Sequence, residues 1–397
     1  MPESTHLAGP APADRPPTAG DLVDRYRPGS SFFFASPRQV LLAEGIAVGL
    51  PARDTDLAGY VSTMLAAVAG DVPEPVAVGA IPFADPAAAH LVVPAAVHRA
   101  APVGVDWRPP PEPAGPPAGI EVRAVPEPEG YLRGVERALA RMADGELAKV
   151  VLARSLHVGA PSGLDLRRVL ANLATLDPRG YTFAADLPGG RTLLGASPEL
   201  LVSRVGDRVV ANPLAGSAAR SPEPAQDARR AATLFNSRKD RHEHALVVEA
   251  VAEALRPYCI DLRVPARPAV VPTGTMWHLS TQVTGTLADP STTALTLATA
   301  LHPTPAVCGT PPGPARDMIA EVEPFPRGFY TGTVGWVDAD GDGEWVIAIR
   351  CAEADERTLR LYAGAGIVPG SRPADELAET SAKFRTLLLA MGLPDAA

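Results

Sequence analysis

"YLRGVERALARMADGELAKVVLARSLHV", Tyr131 to Val158, holds two periodicities in succession. The segment through Gly145 repeats apolar residues at helical spacing and predicts an amphipathic helix. From Leu147 the period drops to two, so Leu147, Lys149, Val151 and Ala153 share one face of a predicted strand. A helix followed at once by a strand places the chain in the α/β class, and the alternation continues on both sides. Downstream, "LRRVLANLATL" reads as a helix, while "YTFAADL" and "RTLLGASPELLVSRVGDRVVANPL" read as strands and turns. A helix from near Lys239 runs to Leu255 and stops before Pro257. "TALTLATALHP" is a further helix, "YTGTVGWVDA", "EWVIAIRCAEA" and "TLRLYAGAGIV" are strands, and a closing helix spans about Pro373 to Leu389. Upstream, "SFFFASPRQVLLAEGIAVGL" is strand-like and Asp56 to Ala69 helical. Residues 1–28, rich in Pro, Ala and Gly without periodicity, read as a disordered tail. "RPPPEPAGPPAG", Arg108 to Gly119, favours extended polyproline conformation and is either a surface crossing or a linker.

With 397 residues and 46% hydrophobic content, the chain can bury one large domain or two lobes. A net charge of −9 with scattered basic residues argues against a nucleic-acid surface and points to small-molecule partners. Cys259, Cys308 and Cys351 lie far apart without CxxC spacing, which implies neither a disulfide framework nor a thiolate zinc site and fits a reducing cytoplasm. The N-terminus has neither the basic patch nor the apolar core of a signal peptide, and no apolar run reaches membrane-spanning length.

Several residues carry candidate chemistry. "SRKDRHEHALVVEA", Ser237 to Ala250, resembles a metal site, but His242 and His244 lie about 200° apart on a helix and HExxH spacing is absent. Asp240, Glu243, His244 and Val247 share a face instead. Carboxylates so placed either hold Mg²⁺ together with waters and a substrate anion, or stabilise the helix N-terminus. On the closing helix Glu376, Glu379, Thr380 and Lys383 share a face that is either an exposed salt-bridged surface or the other half of a cation site with Glu243. Lys149, surrounded by aliphatic neighbours, is either an edge residue snorkelling to solvent or a desolvated base. Glu199 in "GASPELL" is either an exposed turn residue or a partly desolvated acid. Gly364 and Gly366 in "YAGAGIVPG" lack a dinucleotide fingerprint but can present backbone N–H groups to an anion.

Together these segments resemble the chorismate-utilising enzymes, the family of isochorismate, salicylate, anthranilate and aminodeoxychorismate synthases. The resemblance runs from about Ser31 to the C-terminus and is closest from Glu127 on. Its motifs are "KVVLAR", "GASPELL", "NPLAGSAAR", "KDRHEHALVVE", "HLST", "LHPTPAVCGTP", "FYTGTVGW", "IRCA", "LYAGAGIV" and "ELAETSAK". "FFFASP" is similar to the siderophore-type isochorismate synthases in particular.

The resemblance implies an α/β (α+β) fold with mostly antiparallel sheets forming a core wrapped by helices. It implies one chorismate-binding domain over residues 29–397, with an N-terminal portion 29–107, a proline-rich connection 108–119 and a catalytic portion 120–397. By the same resemblance Lys149 activates water and Glu199 protonates the leaving C4 hydroxyl. Glu243 and Glu379 hold Mg²⁺, with Asp240 and Glu376 near its bound waters. Ser217, Arg350, Gly364, Gly366 and Lys383 match carboxylate-binding positions, and His278 and Thr304 pocket positions. Ala306 stands where members that use ammonia or expel pyruvate carry threonine, and Cys308 where many relatives have serine. No "LLES" feedback motif and no glutaminase segment occur, which weakens the anthranilate reading. The expectation is a cytoplasmic, monomeric, Mg²⁺-dependent isochorismate synthase of siderophore biosynthesis, acting on chorismate without a glutaminase subunit, nucleic acid or membrane. The alternatives are a salicylate synthase, which would continue to salicylate and pyruvate, and a non-catalytic chorismate-binding module.

Overall fold

The computed structural model describes residues 16–51, 56–104, 107, 119–355 and 357–393. Within them the expected elements form close to their predicted bounds: helices Leu57–Val68, Pro128–Ala143, Leu166–Leu176, Arg238–Leu255, Ala294–Leu301 and Pro373–Ala390, and strand Lys149–Gly159. Helices Pro224–Asn236 and Pro312–Val322 are additional to those expected from the sequence.

Two large sheets and one small sheet organise the chain. Among the described residues the ten-stranded sheet runs Gly309–Thr310, Lys149–Gly159, Thr358–Ile367, Cys351–Ala354, Arg191–Ser197, Tyr181–Leu187, Ser31–Ala35, Val40–Glu44, Ala96–Ala100, with Glu121–Val125 also pairing Lys149–Gly159. The nine-stranded sheet places Leu200–Val205 and Gly343–Ile347 side by side near its middle, and Leu214–Ala219 belongs to a separate three-stranded sheet. The pairings of these strands are antiparallel, as the expected architecture requires.

Period-two alternation decides which side chains fill the interior. Phe32 and Phe34 point between the two large sheets, where they join Val78, Phe183, Val334, Trp336 and Val346. Phe33 and Ala35, on the opposite face, pack under helices Leu166–Leu176 and Pro373–Ala390. The outer face of the nine-stranded sheet is covered by helices Leu57–Val68, Arg238–Leu255 and Ala294–Leu301. The order of layers is therefore helix, sheet, sheet, helix. On strand Lys149–Gly159, Val150 and Leu152 face helices Pro128–Ala143 and Pro312–Val322, whereas Ala153 faces the space between the sheets. Leu147 precedes this strand and packs with Met142 and Val150, so it does not share the row of Lys149.

The expected tail through residue 28 is corrected in part. Ala19–Arg25 is a helix, because no proline lies between Pro17 and Pro28, the Thr18 and Asp21 side chains close a capping box, and Leu22, Val23 and Tyr26 bury in the core. Residues 1–15 of that tail, and all but Gly119 of the proline-rich connection 108–119, lie outside the described residues.

The chain passes between the large sheets twice next to the centre of the molecule. One passage, Pro198 and Glu199, links strand Arg191–Ser197 of one sheet to Leu200–Val205 of the other. The second, residues 348–350, returns from Gly343–Ile347 to Cys351–Ala354. These passages cross where the two sheets part, and each delivers a charged side chain there.

Candidate active site

The passages open onto a cavity lined by residues of the ten-stranded and three-stranded sheets, two helices and the connecting loops. Glu199 and Arg350 enter from the passages themselves; Glu243 comes from helix Arg238–Leu255, and Glu379 and Lys383 come from helix Pro373–Ala390. Ser217, His278, Ala306, Gly364 and Gly366 complete the expected residues on its wall. Lys149 stands immediately behind Glu243, while Thr304, Asp240 and Glu376 do not line the cavity.

Lys149 is fully buried, and its ammonium lies 3.0 Å from Glu243 Oε1. The contact lacks hydrogen-bond alignment, so the nitrogen's tie to the protein is electrostatic. The snorkelling alternative is thereby excluded. Glu199 is 3% exposed, and burial pushes its carboxyl up to about 7 against the opposing pull of Lys149, the Leu214 backbone, Arg350 and Lys383. Near neutral pH this group can therefore either give or take a proton.

The cationic side of the cavity is built by Arg350 and Lys383. Arg350 sits at φ +48, a left-handed conformation uncommon for a long side chain, in the passage where the chain turns from one sheet to the other. Burial lowers its pKa, and its guanidinium makes no hydrogen bond or ion pair among the described residues. Lys383 Nζ donates to Gly364 O at 2.7 Å and meets Glu379 Oε1 at 2.6 Å. The Ser217 hydroxyl donates to the same carboxylate oxygen at 2.9 Å. Burial pushes the Glu379 carboxyl up, but Lys383, Lys239 and Ser217 outweigh it and hold the group below its ordinary value. His278 is kept neutral by burial and by the nearby Arg350 and Lys383 charges, and its buried Nε2 has no hydrogen-bond partner among the described residues.

The donor set fits a hard divalent cation. Glu243 and Glu379 line the same cavity, and burial together with the charges of these two raises the carboxyl of Asp240 behind them. Burial and the Glu379 charge likewise raise Glu376, which is paired with Lys239 at 2.5 Å. A cation would relieve this mutual repulsion. Among the described residues no three His, Cys, Asp or Glu side chains converge as ligands, which leaves waters and a substrate anion to complete an octahedral shell. The histidines of "RHEH" are elsewhere: His242 is exposed, and His244 Nε2 meets Thr281 Oγ1 at 2.7 Å.

Gly366 shapes this arrangement by lacking a side chain. A Cβ there would fall 2.0 Å from Glu243 Oε1 and 3.1 Å from Lys149 Cε. Tyr330 and Thr331 also line the cavity, although sequence reasoning gave them no role. Both lie inside the quoted segment "FYTGTVGW", and Thr331 holds φ +60, which no sequence pattern announces. Thr304 supports the wall from behind: its hydroxyl accepts the Ala306 N–H at 3.2 Å.

A family model described as "Chorismate binding enzyme" matches residues 107–392. Isochorismate synthase DhbC of Bacillus subtilis (strain 168) is 54% identical over 387 residues, covering 94% of this chain and 96% of the relative. The crystal structure of a putative 2,3-dihydroxybenzoate-specific isochorismate synthase, DhbC from Bacillus anthracis, superposes with TM-score 0.89 at 48% identity, covering 94% of this chain and 99% of that one. Anthranilate synthase component I from Streptococcus pneumoniae shares the fold at 22% identity, with TM-score 0.70 over 88% of this chain and 92% of the other.

Proposed function

This chain belongs to the chorismate-binding enzyme family, and from that premise we propose that it is an isochorismate synthase, converting chorismate to isochorismate in siderophore biosynthesis with Mg²⁺ as cofactor. The observation that carries the reading is the placing of a buried amine, Lys149, and a buried carboxyl, Glu199, whose pKa lies near 7, at one cavity that also holds the cationic Arg350 and Lys383 and the acidic Glu243 and Glu379.

The reaction adds water at C2 of the substrate ring and loses the C4 hydroxyl, with the ring double bonds shifting between them. One water enters and one leaves, so atoms balance without an external reactant. Hydroxide is a poor leaving group, and Glu199 supplies the proton as its bond breaks. Lys149, in its neutral amine form, accepts the proton of the entering water and becomes the ammonium that Glu243 pairs. A carboxyl with a pKa near neutrality serves as acid in one direction and base in the other, which suits a reversible isomerisation. Arg350 and Lys383 present charge to substrate carboxylates, and neutral His278 offers its free Nε2. Mg²⁺ held by Glu243 and Glu379 would neutralise the ring carboxylate and fix its position.

Residues 29–397 are read as a single chorismate-binding domain that works as a cytoplasmic monomer without a glutaminase subunit. Buried free thiols at Cys259, Cys308 and Cys351 support a reducing compartment, and among the described residues no helix is long and apolar enough to cross a membrane. Light scattering of the purified protein tests the monomer.

Incubation with chorismate and Mg²⁺, followed by liquid chromatography, tests the reaction. Isochorismate should appear and approach equilibrium from either side. Pyruvate released without an added lyase would instead identify a salicylate synthase.

A further inference from the structure

Strand Lys149–Gly159, which carries the proposed base, is paired discontinuously along one edge. Gly309–Thr310 pairs with Lys149 and Val150, and Glu121–Val125 pairs with Ser155 to Gly159. Between these partners the Val151 N–H donates to Cys308 O at 2.8 Å, and two further edge groups are met by side chains. Val151 O accepts from Arg327 Nη2 at 2.8 Å, and Ala153 N–H donates to Glu323 Oε1 at 2.8 Å. A carboxylate and a guanidinium thus replace the acceptor and donor that a neighbouring strand would supply.

The same guanidinium reaches the other walls of the cavity. Arg327 Nη1 donates to Val307 O at 2.7 Å, beside Ala306, and contacts Thr331 Oγ1 at 3.4 Å. Its Nε and Nη2 hold Glu323 at 2.8 and 2.5 Å, so each of its nitrogens is engaged. Its plane lies 5.8 Å from the Tyr330 ring centroid, and the Arg327 carbonyl accepts the Tyr330 N–H at 2.9 Å. Val151, Val307, Tyr330 and Thr331 all line the cavity, whereas Arg327, 4% exposed, and Glu323 lie behind it.

We propose that the buried Glu323–Arg327 pair is a positioning device for the active site, locking the Lys149 strand, the Ala306 loop and the Tyr330–Thr331 segment in mutual register. This inference rests on the isochorismate synthase reading. A lysine cannot replace the arginine, because one tetrahedral ammonium cannot serve Glu323, two carbonyls and a hydroxyl lying in different directions.

The test compares Arg327→Lys with wild type by steady-state kinetics on chorismate and Mg²⁺, with active sites counted by calorimetric chorismate binding. Positioning predicts a drop in kcat/KM of at least about tenfold per active site, with KM raised and kcat lowered together, because substrate wall and base shift at once. Unchanged constants per active site, with only the folded fraction reduced, would overturn it. Should Arg327→Lys not fold, Glu323→Gln, which keeps the shape and loses the charge, is assayed in its place. A change of at least about threefold in both constants supports the proposal, and wild-type constants reject it. The wild-type assay alone tests the functional reading; only the ratio of variant to wild type tests the positioning.

Discussion

Lys149 and Glu243 meet at 3.0 Å, with the lysine side chain wholly enclosed and the glutamate bordering the open cavity. The pair is asymmetric: water can reach the carboxylate when its partner is removed but cannot reach the ammonium. Breaking a buried pair by deleting one partner costs about 3–5 kcal/mol when the other charge stays uncompensated. Glu243→Ala should therefore lower Tm by several degrees, and Lys149→Met, matched to its aliphatic surroundings, by clearly less. Both variants should lose turnover. Calorimetric melting that ranks them in the opposite order would refute the asymmetry.

The raised carboxyl of Glu199 sets a pH dependence with a definite sign. In its proposed role as acid it must be protonated, so kcat/KM in the forward direction should fall about tenfold per pH unit above about 7. Stability follows the same group: below about 7 the folded carboxyl holds a proton that the unfolded chain releases at ordinary carboxyl pH. Its contribution is complete below the ordinary carboxyl pKa and is lost as pH rises through about 7. Glu199→Gln should abolish turnover and flatten the stability profile between about pH 5 and 7, measured by denaturant melts across that range.

At Gly366 the steric and chemical consequences separate. The Cβ of Gly366→Ala would collide with the end of the Glu243 side chain and push it off Lys149, so the melting temperature should fall by no more than in Glu243→Ala. The displaced carboxylate, however, abandons both Lys149 and the cation position. Turnover is expected to fall at least about a hundredfold. Wild-type turnover in a folded Gly366→Ala protein would show that the close approach has no functional weight.

Cation binding should depend unequally on the acids. Glu243→Gln and Glu379→Gln should each weaken Mg²⁺ binding at least about tenfold by calorimetry, and Glu376→Gln less, because Lys239 already neutralises that carboxylate. Chelator treatment should stop turnover and added Mg²⁺ restore it. Full activity after thorough chelation would contradict the Mg²⁺ assignment.

Much of this was legible where local periodicity and side-chain chemistry agree. The drop from helical to alternating period around Gly145 located the Lys149 strand, and the i, i+3, i+4, i+7 row put Asp240 and Glu243 on one face of a capped helix. What escaped depends on through-space geometry. Ala19–Arg25 forms because Leu22 and Tyr26 find a core built by distant residues. Gly366 matters for the carboxylate it admits, a residue far back in the chain. Glu323 and Arg327 are charged residues in a proline-rich turn, and nothing in their spacing tells that both are buried or that they face a strand begun at Lys149. The ambiguity at Lys149 between surface and interior was likewise one that only packing could resolve.

The two passages between the sheets also bear on how activity is acquired. Glu199 and Arg350 meet only after strands far apart in sequence have paired in both sheets, and Glu379 and Lys383 arrive on the last described helix. Pairings of such high sequence separation form late and slowly. During refolding from denaturant, helical signal should recover ahead of turnover, which should appear only once helix Pro373–Ala390 has docked.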